Sequence, residues 1–142
     1  MTITQPLIDA ALQLAAQRWP NREAGAAALL TATGRILTST YAESPNPAAC
    51  LCHETGAICE AHKLNEAVTA SVYVSREDAN APFIILPPCG ICCERLAFWG
   101  GEVEIAIPDS KNPTQWKMQT LREIMPHYWQ KPWPQAPQPP KT

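Results

Sequence analysis

Apolar and polar positions alternate along the first forty residues with two different periods. From Pro6 to Trp19 the apolar residues recur at helical intervals, and Pro20 ends this predicted helix. The next two runs, 26–31 and 35–40, are rich in residues that favour strands. Gly34 lies in the short gap between them and can adopt a positive φ, so these runs are predicted to form a β-hairpin.

The middle of the chain repeats this change of period. Apolar positions from Cys52 to about Val68 fit one helix, after a proline-rich loop. Two β-rich runs, 70–74 and 83–86, follow as predicted strands. A second helix is predicted from Cys89 to Trp99, and the glycine pair 100–101 ends it.

The last third adds one strand, one helix and a tail. Residues 102–107 alternate as a strand does, and a final helix is predicted from Thr114 to Met125. The five prolines of residues 131–142 indicate an extended, poorly packed end. We therefore predict one domain over residues 1–130, followed by this tail. Its fold class is α/β: a mixed five-stranded sheet with helices on both faces, in three α/β/α layers.

Composition and charge favour some classes of function over others. A chain of 142 residues with a net charge of −2 and a pI near 5.9 offers no basic field for a phosphate backbone, so a small substrate is favoured over nucleic acid. The first residues lack a leader pattern, and no apolar run approaches membrane-spanning length. We expect a soluble, cytoplasmic protein whose six cysteines are thiols or metal ligands rather than disulfides.

Two short cysteine motifs carry the candidate chemistry: Cys52-His53-Glu54, and Cys89 with Cys92 in a Pro-Cys-Gly-Ile-Cys run. Three thiolates occupy three corners of a zinc tetrahedron and leave the fourth for water, as in hydrolytic zinc sites. Both motifs lie at predicted helix starts, where backbone N–H groups are expected to lower the pKa of the thiols. A carboxylate two residues after the first thiol and a later Pro-Cys-x-x-Cys match the signature of zinc-dependent deaminases.

The same residues resemble the cytidine deaminase family, in particular its small three-cysteine members and the related blasticidin S deaminases. The resemblance spans roughly residues 21–128. The segments that resemble the family are the hairpin 26–37, the two cysteine motifs and the closing segment 120–126. The cysteine motifs correspond to the family's C-A-E and P-C-G-x-C.

This resemblance implies the roles of the motif residues. Cys52, Cys89 and Cys92 would bind one Zn²⁺ per chain, and Glu54 would carry a proton from water to the substrate. It also implies pyrimidine metabolism and a homo-oligomer, either a tetramer or a dimer.

The chain departs from the family where the substrate is held. Glu23-Ala24-Gly25 stands where nucleoside deaminases have Phe-x-Val, and Tyr41-Ala42-Glu43 stands where they have Asn-x-Glu. The candidate substrate-binding residues are therefore Glu23, Tyr41 and Glu43. Arg95 is a candidate to replace the arginines that usually temper the charge of three thiolates.

The predicted function is removal of the exocyclic amine of a cytidine-like aminopyrimidine nucleoside as ammonia. One alternative is the same chemistry on an antibiotic of the blasticidin S type or on a free aminated heterocycle. A second is a non-catalytic zinc module closed by Cys50 as the fourth thiol, which would leave Glu54 without a role. His53 is interpreted as lining the pocket or the surface rather than as a ligand.

Overall fold

The computed structural model of the chain describes residues 4–130 and 132–135, in which four helices and six strands occur. The helices are α1 (Thr4–Arg18), α2 (Thr55–Leu64), α3 (Gly90–Leu96) and α4 (Leu121–Ile124). The strands are β1 (Ala24–Thr31), β2 (Ile36–Ser39), β3 (Val68–Arg76), β4 (Ile84–Leu86), β5 (Glu104–Pro108) and β6 (Trp116–Thr120). Single 3₁₀ turns lie at Pro47–Ala49 and Ala97–Trp99.

The strands form one mixed sheet in the order β2-β1-β3-β5-β6. Only β3 and β5 run parallel, through Ala70 and Ser71, and the other neighbours are antiparallel. The short β4 pairs with the second half of β3, at Tyr73 to Ser75, beyond the part of β3 that β5 uses. The predicted α/β class with a mixed sheet is confirmed, with six strands in place of five.

Helices cover both faces of the sheet. On one face α1 packs on the alternate alanines of β1, Ala24, Ala26 and Ala28. On the other face α2, α3 and α4 pack around Leu29 of β1 and Ile105 of β5, both fully buried. Because successive side chains of a strand point to opposite faces, neighbouring residues of β1 serve different helical layers. The three-layer α/β/α arrangement is therefore confirmed.

The predicted final helix from Thr114 to Met125 is wrong over most of its length. Residues Trp116–Thr120 form β6, which pairs antiparallel with β5, and only the four residues of α4 are helical. Trp116 and Met118 pack against the core at alternate positions, so pairing with β5 outweighs the helix preference of lysine, methionine and glutamine.

Helix α2 is shorter than predicted, and α3 ends as predicted. Asn65 adopts a left-handed conformation with φ of 54°, which ends α2 at Leu64 and lets the chain enter β3 at Val68. Helix α3 runs into the 3₁₀ turn, and Gly100, with φ of 96°, ends the segment as the glycine pair indicated.

The expectation that the tail is poorly packed is wrong at one described position, Trp133. Trp133 is buried and stacks on Tyr128, with 4.1 Å between the ring centroids. Residues 131 and 136–142 lie outside the described residues, and the division of the chain at residue 130 stays a prediction. Among the described residues, no helix combines the length and apolar character needed to span a membrane.

Candidate metal and substrate site

The three motif cysteines meet where α2 and α3 begin. Their Sγ atoms all lie within 4.8 Å of one another, and those of Cys52 and Cys89 are 3.4 Å apart. Zinc bonded to thiolates at ~2.3 Å in a tetrahedron holds the sulfurs roughly 3.8 Å apart, so this spacing fits a zinc ion. Such a donor set fills three coordination positions and leaves a fourth for water.

Local structure explains why the thiols converge. Cys89 is the N-cap of α3 and Cys92 lies in its first turn, fully buried. Cys52 precedes α2 by three residues, in a segment that is held to Ser39 of β2 by hydrogen bonds. The Ser39 hydroxyl donates to the carbonyl of His53 and accepts from the N–H of Ala57 at 2.9 Å. The hairpin thus fixes the first motif against the sheet.

Glu54 is buried beside the three thiols, with 2% of its surface exposed. Its Oε1 has no hydrogen-bond partner among the described residues, although buried polar groups nearly always have one. Burial raises the pKa of the Glu54 carboxyl, while nearby Cys92 and the positive charge of Arg95 act in the opposite direction. An unpartnered buried carboxyl beside a candidate metal centre is suited to hold and release a proton.

The expected lowering of the thiol pKa values is confirmed for Cys89 and is wrong for Cys52 and Cys92. Burial raises the pKa of Cys52 and of Cys92, and the adjacent Glu54 and thiols raise that of Cys92 further. For Cys89 burial also opposes ionisation, but the N–H groups of Cys92 and Ile91 and the Cys52 thiol lower its pKa overall. A dication would reverse the balance at the buried thiols, because it stabilises thiolates directly.

Arg95 lies where it can offset negative charge at the site. Its guanidinium donates to Thr55 Oγ1 at 2.8 Å, and Nη1 lies 4.0 Å from Cys92 Sγ. Three thiolates around Zn²⁺ leave a net negative charge, which a neighbouring cation compensates. The structure therefore supports the candidate role that the sequence suggested for Arg95.

Replacing Arg95 with methionine is expected to weaken zinc binding by about tenfold, since partners of this kind typically contribute 10- to 100-fold. The methionine keeps most of the volume and removes the charge. Competition with a chelator measures the affinity, and Arg95→Lys, which keeps the positive charge, is the control. Equal zinc affinity in the methionine variant and the wild type would contradict the role.

A cavity of about 350 Å³ is lined by residues of β1 and of the segment that follows β2. Its lining includes Glu23, Tyr41 and Glu43, the three predicted substrate-binding residues. His53, which stands between Cys52 and Glu54 in sequence, also lines this cavity, whereas the three thiols and Glu54 are not among its lining residues. The structure thus places the predicted substrate residues around one cavity, and their roles stay predictions.

Five lining residues were not singled out as site residues by the sequence patterns: Trp19, Arg22, Ala24, Gly25 and Ser75. Gly25 lies inside β1, and a glycine within a strand signals a close approach by another group, so the signal was present. Cys50 lies outside the three-thiol group, with its Sγ 3.9 Å from the carbonyl oxygen of Ser44. A zinc site closed by Cys50 is therefore not the arrangement of the described residues.

Several solved structures share the fold of this chain. "Crystal structure of the cytidine deaminase from Bacillus anthracis" is 43% identical, with a TM-score of 0.84 over 90% of this chain and 90% of that one. The cytidine deaminase from Mycobacterium tuberculosis is 25% identical, with a TM-score of 0.69 over 92% and 99%. That from Mycobacterium leprae, 23% identical with a TM-score of 0.70 over 89% and 100%, shows the fold alone. No family model and no curated protein matches the chain.

Proposed function

Because the chain belongs to the cytidine deaminase family, we propose that it is a zinc-dependent hydrolase that removes the exocyclic amine of a cytidine-like aminopyrimidine nucleoside as ammonia. The observation that carries the proposal is the group of three thiols beside a buried carboxyl with an unpartnered oxygen. The 43% identity to the Bacillus anthracis cytidine deaminase supports it.

In this proposal Cys52, Cys89 and Cys92 hold the zinc ion, which supplies Lewis-acid activation of water near neutral pH. Glu54 accepts a proton from the attacking water and delivers protons to the ring nitrogen and the departing amine. A C–O bond forms, the C–N bond breaks, and ammonia leaves. Burial raises the pKa of Glu54, which brings it closer to neutrality and so allows one carboxyl to take and to give a proton.

The cavity lining favours a nucleoside over a nucleotide. Glu23 and Glu43 place two acids at the cavity, and Arg22 is paired with Glu43 at 3.4 Å. The net negative charge disfavours a phosphate, whereas carboxylates can accept hydrogen bonds from sugar hydroxyls. In this proposal Glu43 and Tyr41 contact the sugar and Glu23 lines the entrance.

The departures at Glu23 and Tyr41 are also compatible with an alternative substrate for the same reaction. That substrate would be a blasticidin-like antibiotic or a free aminated heterocycle. Neither residue reproduces the aromatic or the amide that the family places there. The non-catalytic zinc module is disfavoured, because Cys50 lies outside the thiol group and the buried Glu54 would have no purpose in it.

We further propose a homo-oligomer, a tetramer or a dimer, in the cytoplasm. Six large apolar side chains are exposed in the described part of the chain, and the three most exposed are Trp129 by 75%, Ile91 by 60% and Phe98 by 49%. Exposed apolar residues mark a subunit interface where they form one contiguous patch. The six cysteines are free thiols, which suits a reducing compartment.

Ammonia release from cytidine, deoxycytidine, cytosine and blasticidin S by the zinc-loaded protein tests the function. We expect both nucleosides to be deaminated, with uridine and deoxyuridine identified as products. Ammonia from cytosine or blasticidin S alone would transfer the proposal to the alternative. No ammonia from any of the four would refute the proposed chemistry.

A further inference from the structure

Two departures from the family pattern meet in space inside the cavity. His53 stands where the family's C-A-E motif has alanine, and Gly25 stands where its Phe-x-Val has valine. These positions are 28 residues apart in the chain, yet a Cβ added to Gly25 would lie 2.5 Å from Nε2 of His53 and 2.9 Å from its Cδ2. The imidazole therefore occupies the room that a side chain at position 25 would fill.

Space, and not backbone conformation, requires the glycine. The described residues with positive φ do not include Gly25, so an L side chain would cause no backbone strain there. Apart from His53, the nearest atom to the added Cβ is the carbonyl oxygen of Val74, at 3.1 Å. A large residue at position 53 and a missing side chain at position 25 are thus complementary.

The His53 imidazole packs against two aromatic rings and also faces the cavity. Its ring lies between Tyr41 and Tyr73, with centroid distances of 5.5 and 4.6 Å. Neither ring nitrogen has a hydrogen-bond partner in the described part of the chain, and the side chain lines the cavity. The two ring nitrogens are therefore available for hydrogen bonds to a bound molecule.

We propose that His53 is a specificity-determining residue, whose imidazole, admitted by Gly25, forms the cavity wall next to the reacting amine of an aminopyrimidine. This inference rests on the proposed function. The ring supplies an aromatic surface in a cavity where Glu23 stands at the family's phenylalanine position. The His53 ring packs on Tyr73 at 4.6 Å, and Tyr73 lies close enough to Glu54 and Cys52 for their charges to raise its pKa, after burial. The substrate atoms that His53 limits are therefore the exocyclic amine and its substituents.

A cycle of variants tests the proposal: His53→Ala, Gly25→Val, the double variant, and His127→Ala as a control at an exposed histidine. His53→Ala is expected to raise the kcat/KM ratio of N4-methylcytidine to cytidine by about tenfold, because an opened pocket gains roughly that per methyl group. Gly25→Val alone should reduce kcat/KM for cytidine by about tenfold or more, since the valine displaces the imidazole.

The double variant decides whether the two positions act as a pair. Without the imidazole, a valine at position 25 loses its two shortest contacts, and the nearest remaining atom is the Val74 carbonyl oxygen at 3.1 Å. The double variant should therefore be more active on cytidine than Gly25→Val alone. A purely structural role for His53 predicts a different result, namely lower thermal stability with an unchanged substrate ratio. That result would overturn the proposal.

A binding measurement separates this inference from the function on which it rests. The protein has three histidines, so the ring resonances can be assigned by ¹H–¹³C NMR with His53→Ala and His127→Ala. Addition of uridine should shift the His53 ring resonances and leave those of His127 in place. If the wild type releases no ammonia from any substrate, the proposed function fails. The role of His53 in ligand binding is then tested by the NMR titration alone. An unshifted His53 ring then overturns its assignment.

Discussion

Replacing Glu54 by glutamine is expected to lower kcat for deamination by about 10²- to 10⁴-fold, the range that a positioned general acid–base contributes. Glutamine has nearly the same shape but cannot take a proton from water. Because Glu54 lies outside the three-thiol group, the variant should still bind one zinc ion per chain. Steady-state kinetics together with metal analysis of the same sample measure both quantities.

The matched control is Glu60→Gln, an exposed glutamate on the same helix α2. It makes the same change of charge and should leave both kcat and zinc content unaltered. Two results would count against the role of Glu54: activity within a few-fold of the wild type, or loss of zinc from the glutamine variant. The second would mean that the carboxylate is a ligand.

The folded chain confirms those sequence predictions that depend on local chemistry. The β-hairpin turn was predictable because Gly34 adopts a φ of 86°, and the end of α3 because Gly100 adopts one of 96°. The segment 116–120 could not be assigned from its own residues. Its strand depends on pairing with β5, which is set by the tertiary structure and overrides helix propensity.

A usable signal for the boundary of α4 was nevertheless present. Thr120 and Glu123 form a capping box, in which the threonine hydroxyl accepts from the N–H of Glu123 and the Glu123 carboxylate accepts from the N–H of Thr120. Thr-x-x-Glu marks a helix start, so the pattern places the start at residue 121 and excludes residues 114–119.

The metal site and the substrate cavity also differ in how far the sequence predicted them. Short motifs carry Cys52, Glu54, Cys89 and Cys92, so spacing alone predicted that they would converge. The contact between His53 and Gly25 joins residues that no motif links, and the sequence showed only a glycine at an unexpected strand position. The substrate side of the site is therefore where the structure adds most.

Removing the Cys92 thiol has the largest expected effect on the metal. Cys92→Ala is expected to bind less than about one-tenth of a zinc ion per chain after dialysis and to show no measurable deamination, because two thiolates hold zinc far more weakly than three. The residue is fully buried in the first turn of α3, so alanine fits the helix. Metal analysis and an ammonia assay on the folded variant measure these losses.

Cys93→Ala provides the matched control, one residue further along the same helix. Its thiol is also buried, but it contacts the carbonyl of Pro88 at 3.4 Å and lies outside the three-thiol group. Burial raises the pKa of Cys93 to about 11, so it stays a thiol at neutral pH. This variant should keep its zinc and activity and lose only about 1 kcal/mol of stability. Equal zinc loss in both variants would indicate general loosening of α3, whereas full zinc retention in Cys92→Ala would remove Cys92 from the metal site.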